Sequence, residues 1–210
     1  VPISVPVPDK SAGDVFTETN WDAHLRDNIN KLLDRGHRVL TVAQFSALTG
    51  LEDGDEAYVE VDAANGIMWH FRYVAAETTY KWRFLGGPPL WSEVVTSQAT
   101  TSTSYAALAT AGPSVTLPRS GDYDVEHSGS RDAAASETSF MSYDIGATGA
   151  VDADAIHHAE QEGGPGSRTR RKTGLTPVAL TAKYRSVGGG SVQFENRFMR
   201  VAPVRIRHDA

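Results

Sequence analysis

Between Ala57 and Leu85 apolar and polar residues alternate with a period of two in three short runs, and this constrains the fold more than any other feature of the chain. The runs are Ala57-Tyr-Val-Glu-Val61, Gly66-Ile-Met-Trp-His-Phe-Arg-Tyr-Val74 and Thr79-Tyr-Lys-Trp-Arg-Phe-Leu85. Turns rich in Asp, Asn and Gly, or in Ala and Glu, separate them, so they read as successive antiparallel strands. In the last run Tyr80, Trp82 and Phe84 share one face while Lys81, Arg83 and Leu85 share the other, the pattern of a sheet with a single core face. With 19 glycines and 10 prolines in 210 residues, short strands and turns are favoured over long helices elsewhere too.

Gly86-Gly-Pro-Pro89 joins two flexible residues to two rigid ones and is the natural internal boundary. Three segments are therefore expected: an arm and attachment helix over 1–36, a small antiparallel β domain over 37–89, and a β-sandwich domain over 90–210. In the last, strands are expected around Val94, Tyr105–Ala109, Val115–Leu117, Tyr123–His127, Ser139–Ile145, Val178–Tyr184, Val192–Phe198 and Val201–Arg207. Their rhythm suits a sandwich, with the jelly roll among its topologies. The Val178 and Val192 runs read as one hairpin closed by Gly188-Gly-Gly190, with Val192, Phe194, Asn196 and Phe198 on one face. Ala133–Ser136 and Gly163–Ser167 read as loops.

The prolines of Val1-Pro-Ile-Ser-Val-Pro-Val-Pro8 favour an extended arm. Thr17-Glu-Thr-Asn20 then caps a helix from Trp21 to about Arg35, with Gly36 as its stop. Trp21, Leu25, Ile29, Leu32 and Leu33 form its apolar stripe, opposite Asp22, Arg26, Asn30 and Asp34. Such a stripe either packs on the adjacent domain or forms a short oligomeric neck, trimeric or dimeric. Val39–Leu51 reads as a short strand and a helical turn.

Charge and composition exclude several classes of function. The 20 basic and 26 acidic residues leave a net charge of −6, which offers no global cation field for nucleic acid or an anionic membrane. The charge is uneven: residues 168–210 carry 10 basic and 2 acidic side chains. The absence of cysteine removes disulfides, thiol catalysis and Cys-ligated zinc. No run reaches the roughly 18 apolar residues of a membrane helix, and Val1–Pro8 lacks the basic leader and apolar core of an intact signal peptide.

Three polar constellations have both a chemical and a structural reading. Asp122, Asp124 and Glu126 fall on one side of a strand, where a solvated or salt-bridged face explains them better than a cation or sugar site. Asp152 and Asp154 near His157 and His158 supply metal-ligand chemistry, but adjacent histidines on a strand point to opposite faces, so no metal is assigned. Arg168, Arg170, Arg171 and Lys172 lack interleaved aromatics and suit ion pairing better than specific nucleic-acid binding. With no phosphate-cradling loop and no nucleophile elbow, no catalytic residue and no cofactor is expected. Trp69, Tyr73, Tyr80 and Trp82 are core aromatics or, if exposed, a stacking surface for a glycan.

Two stretches resemble small structural proteins of tailed bacteriophages: Gly13-Asp-Val-Phe-Thr-Glu-Thr-Asn-Trp-Asp-Ala-His-Leu-Arg-Asp-Asn-Ile-Asn-Lys-Leu32 and Tyr80-Lys-Trp-Arg-Phe-Leu-Gly-Gly-Pro-Pro-Leu90. The resemblance implies a virion-associated module, with Trp21, Leu25 and Asn28 matching its helical signature, and Ile29 and Leu32 continuing the assembly face. The second half resembles β-sandwich modules of phage fibres and tail or head accessory proteins in its strand rhythm and in its ending Val192-Gln-Phe-Glu-Asn-Arg-Phe-Met199. The expectation is a noncatalytic virion component that assembles with itself and other virion proteins. The alternative is a receptor-binding module for a host-surface glycan.

Overall fold

The computed structural model describes residues 39–132, 137–159 and 163–207. The expected arm and helix, with Trp21, Leu25, Asn28, Ile29 and Leu32, lie outside the described residues, as does the 133–136 loop. The chain opens with β1 (Val39–Thr41), which leads directly into a short helix, α1 (Val42–Ser46). Thr41 and Gln44 form a capping box, Thr41 Oγ1 accepting from the Gln44 amide at 3.2 Å and Gln44 Oε1 from the Thr41 amide at 3.0 Å. Next come β2 (Glu56–Asp62), β3 (Ile67–Tyr73), β4 (Trp82–Gly86), β5 (Leu90–Val94), β6 (Gln98–Thr100), β7 (Ser114–Thr116), β8 (Gly121–Arg131) and β9 (Ser139–Ile145). A 3-10 turn at Asp152–Asp154 precedes β10 (Ile156–His158), β11 (Gly164–Leu175), β12 (Ala179–Ser186) and β13 (Val192–Ile206).

The protein is mainly β and forms a sandwich. A nine-stranded sheet runs β1-β2-β3-β4-β13-β8-β11, with β5 and β6 also on β13, and a four-stranded sheet runs β10-β9-β12-β7. β2, β3 and β4 are the antiparallel unit that the alternation predicts, and β1 adds to it in parallel. The long β13 organises the rest: one edge takes β6, β5 and β4 in turn, and the other takes β8.

Several sequence expectations change, and Tyr105–Ala109, expected as a strand, holds only an isolated bridge from Ala106 to Tyr184. Gly86–Pro89 is a turn within one sheet, since β4 and β5 on either side of it both pair with β13 and a single core cluster spans the junction. Gly87, at a φ of 128°, approaches the Met68 carbonyl so closely that a side chain there would collide with the backbone. The Gly188–Gly190 segment is a crossover between sheets, because β12 pairs with β7 and β9 whereas β13 belongs to the larger sheet. Finally, Gly163–Ser167 is mostly strand: β11 starts at Gly164 and follows β8 from Arg131 to Gly121.

The core explains why these strands hold. Trp69, Phe71, Tyr73 and Trp82 project from one face of β3 and β4, where Phe45 of α1 meets Phe71 at 5.9 Å and Trp82 at 5.0 Å between ring centroids. Further along, Val125, Met199 and Val201 of the large sheet and Met141, Leu180 and Tyr184 of the small one are buried between the layers. Each aromatic removes about 150–250 Å² from water, so this layer supplies most of the driving force for closing the sandwich. Among the described residues no helix is long and apolar enough to cross a membrane.

Candidate functional site

The four aromatics singled out as a stacking surface do not form one. Trp69, Tyr73 and Trp82 are buried, and Trp69 Nε1 donates to the Pro88 carbonyl at 2.9 Å. Tyr80 is half-buried, with the Arg205 guanidinium 6.0 Å from its ring centroid. The strand period that puts Trp69 and Tyr73 on one face is the same period that points that face inward. A glycan could reach them only by opening the core.

The acidic row on β8 is an ion-pair ladder. Asp122 accepts from Arg205 Nε at 2.7 Å and from the Gly174 amide at 2.9 Å. Asp124 takes a bidentate contact from Arg171 at 2.9 and 2.8 Å, and Glu126 lies 3.5 Å from Arg200. Each pair joins register partners on β13 or β11, so the carboxylates knit three strands together. The Asp122 and Asp124 carboxylates hold the Arg205 and Arg171 guanidiniums above their ordinary values. Glu77, bonded first by Arg83 and then by Arg205, is held below the usual carboxylate range.

The basic run of β11 is engaged by the chain's own groups on both faces of the strand, Arg171 by Asp124 as above. Arg168 donates to the carbonyls of Ala155 and Ala153, Arg170 to that of Ala153, and Lys172 to Asp154. Asp152 is engaged by the Tyr105 hydroxyl and Arg185, each at 2.8 Å, and these contacts lower its carboxyl. His157 and His158 do point to opposite faces, exposed and buried respectively. Among the described residues no group of three His, Asp or Glu is arranged to hold a metal.

An aromatic pair, one ring exposed and the other half-buried, lies elsewhere, on the outer face of the large sheet. Trp91 of β5 is 51% exposed, and its ring stacks on Phe198 of β13 at 4.6 Å between centroids and 18° between planes. Glu93 of β5 stands opposite Phe198, and Arg200 stands opposite both Trp91 and Glu126. An apolar double ring therefore sits within a rim of charged hydrogen-bonding groups.

Phe198 reaches this face because β13 bulges. Val192 and Phe194 point into the core as expected, but the register with β8 slips between Glu195 and Phe198, and Asn196 takes a φ of 47°. The extra residue turns Arg197 inward and Phe198 outward, which overturns the single face expected for Val192, Phe194, Asn196 and Phe198. Arg197 is fully buried, with its guanidinium 5.3 Å from the Tyr184 ring centroid and Nη2 donating to the Thr96 carbonyl at 2.8 Å. Two signals were present in sequence: Leu90-Trp-Ser-Glu-Val94 places Trp91 on the side of Glu93, and Asn is among the few residues that tolerate positive φ.

Further along β13 and β8 a cleft of about 360 Å³ is lined by Ser97, Ser130, Arg131, Asp132, Gly164, Gln193 and Glu195. On the inner face of β8 the buried His127 imidazole lies 5.1 Å from the Tyr143 ring and donates from Nε2 to the Met141 carbonyl at 3.1 Å. Burial pushes this imidazole down to about 4, against a smaller opposing effect of that hydrogen bond.

No family model and no curated protein matches the chain. Among solved structures it is similar to the CBM22-1 xylan-binding domain of Paenibacillus barcinonensis Xyn10C, at 14% identity and a TM-score of 0.30 over 68% of this chain and 85% of that one. It is similar also to the CBM22-1–GH10 modules of Clostridium thermocellum endo-1,4-beta-D-xylanase 10B complexed with xylohexaose, at 13% identity and a TM-score of 0.27 over 74% of this chain. The tandem CBM22-1–CBM22-2 domain of Paenibacillus barcinonensis Xyn10C gives 10% identity and a TM-score of 0.29, again over 74% of this chain. The chain spans 26% and 47% of the length of the latter two.

Proposed function

We propose that this chain is a noncatalytic attachment module of a phage particle that meets a host-surface glycan on the outer face of its large sheet. The observation that carries the glycan reading is the Trp91–Phe198 pair, an exposed apolar surface set within charged residues. A sugar ring presents an apolar C–H face and a polar rim, so it can pack on Trp91 while its hydroxyls meet Glu93, Glu126 and Arg200. Membership of a virion is supported by the resemblance of residues 13–32 and 80–90 to tailed-phage structural proteins. Symmetric copies would multiply weak contacts, which suits a module that holds a repetitive surface.

The test is a Trp91→Ala variant examined on a glycan array and for binding to host cells. Wild type should retain saccharides that the variant releases at least tenfold more readily, with both proteins equally folded because Trp91 lies outside the core. Equal retention by the two, or no saccharide held by wild type, would overturn the glycan reading.

A further inference from the structure

The cleft lies further along the same two strands, β13 and β8, that carry Phe198 and its register partner. On β13 the cleft residue Glu195 is separated from Phe198 only by the bulge. On β8 their register partners, Ser130 and Ser128, are two residues apart and so lie on the same face, about 7 Å from each other. One sugar ring stacked on the aromatic pair would place its neighbour in an oligosaccharide over the cleft. The volume of about 360 Å³ falls at the small end of ligand sites, which run to about 300–1,000 Å³.

The lining also indicates what would enter. Ser97, Ser130 and Gln193 supply hydroxyl and amide groups, and Glu195 supplies an exposed carboxylate able to accept from two hydroxyls. Arg131 is buried and donates to the Ala159 carbonyl, so its charge is directed into the fold. The exposed Glu195 carboxylate gives the cleft mouth a negative charge. The wall at Ser97 is fixed from behind, because the buried Arg197 holds the adjacent Thr96 carbonyl at 2.8 Å.

We infer that this cleft is a second sugar subsite, accepting the uncharged ring next to the one stacked on Trp91 and Phe198 and rejecting acidic sugars. The inference rests on the glycan reading above and adds to it a minimum ligand length and a charge preference. The probes are glucose, mannose and galactose, neutral tetrasaccharides of each, and tetragalacturonate, titrated calorimetrically against the full chain. A neutral tetrasaccharide should bind at least tenfold more tightly than its monosaccharide, and tetragalacturonate should bind at least tenfold more weakly than the neutral chains.

Glu195→Gln should narrow the preference against tetragalacturonate, and Gln193→Ala should weaken the tetrasaccharide severalfold while leaving the monosaccharide unchanged. Both residues are exposed, so neither change threatens the fold. If binding requires Trp91 but is independent of chain length, or is untouched by both cleft variants, the subsite is refuted while the stacking reading survives. If no neutral saccharide binds, or Trp91→Ala binds as well as wild type, both fail together.

Discussion

Acidification from pH 7 should loosen this fold before most carboxylates titrate, and His127 is the reason. Its imidazole is buried between the sheets, facing the Tyr143 ring, with Asp154 favouring and Arg168 disfavouring its charged form. Burial outweighs these, placing the native group at about 4 against an ordinary value of 6.5. The unfolded chain then binds a proton that the folded one refuses, so stability is full above pH 6.5, falls as pH drops towards 4, and levels off below. A difference of this size amounts to about 3 kcal/mol in the acid limit and about 2.5 kcal/mol between pH 7 and pH 4.5. Urea unfolding at half-unit intervals would measure it. His127→Gln keeps a donor for the Met141 carbonyl but cannot titrate, so it should be less stable at pH 7 and noticeably flatter between pH 6.5 and 4.5. Asp152 and Glu77, with lowered carboxyls, lose their contribution at and below the usual carboxylate range, and that shared loss cancels in the comparison. Parallel pH profiles for the two proteins would refute the assignment.

Two further outcomes test the ladder and the assembly. Asp122→Asn should destabilise by about 1–3 kcal/mol, since a buried carboxylate that accepts from both Arg205 and Gly174 loses its charge, and denaturant midpoints at pH 7 would read the loss. If Trp21, Leu25, Ile29 and Leu32 line an oligomeric neck, light scattering should give a multimeric mass for residues 1–210 and a monomeric one for a chain beginning at residue 37. A monomeric full chain would refute self-assembly, and an oligomer unchanged by the deletion would move the contact into the sandwich.

What was legible in sequence, and what was not, follows from how each element is held. The β2–β4 unit could be read because its core side chains alternate strictly, and β9 because Ser139–Ile145 carries its own apolar pattern. β11 has almost no apolar residues; its strand is specified by hydrogen bonding to β8 and by cations that find Asp124, Asp154 and the Ala153 and Ala155 carbonyls, partners distant in sequence. The glycines before β13 signal a change of direction equally well for a hairpin and for a crossover, and only pairing distinguishes them.

The candidate face was hidden for a more local reason. Strict alternation would carry Phe198 into the core with Phe194, but the extra residue at Asn196 reverses the remaining face of β13. That single bulge exposes Phe198 to stack on Trp91 and also buries Arg197 where it anchors Thr96 next to the cleft. Both halves of the proposed site thus depend on one departure from strand geometry. A change that removed the bulge would have to disturb the aromatic pair and the cleft wall together.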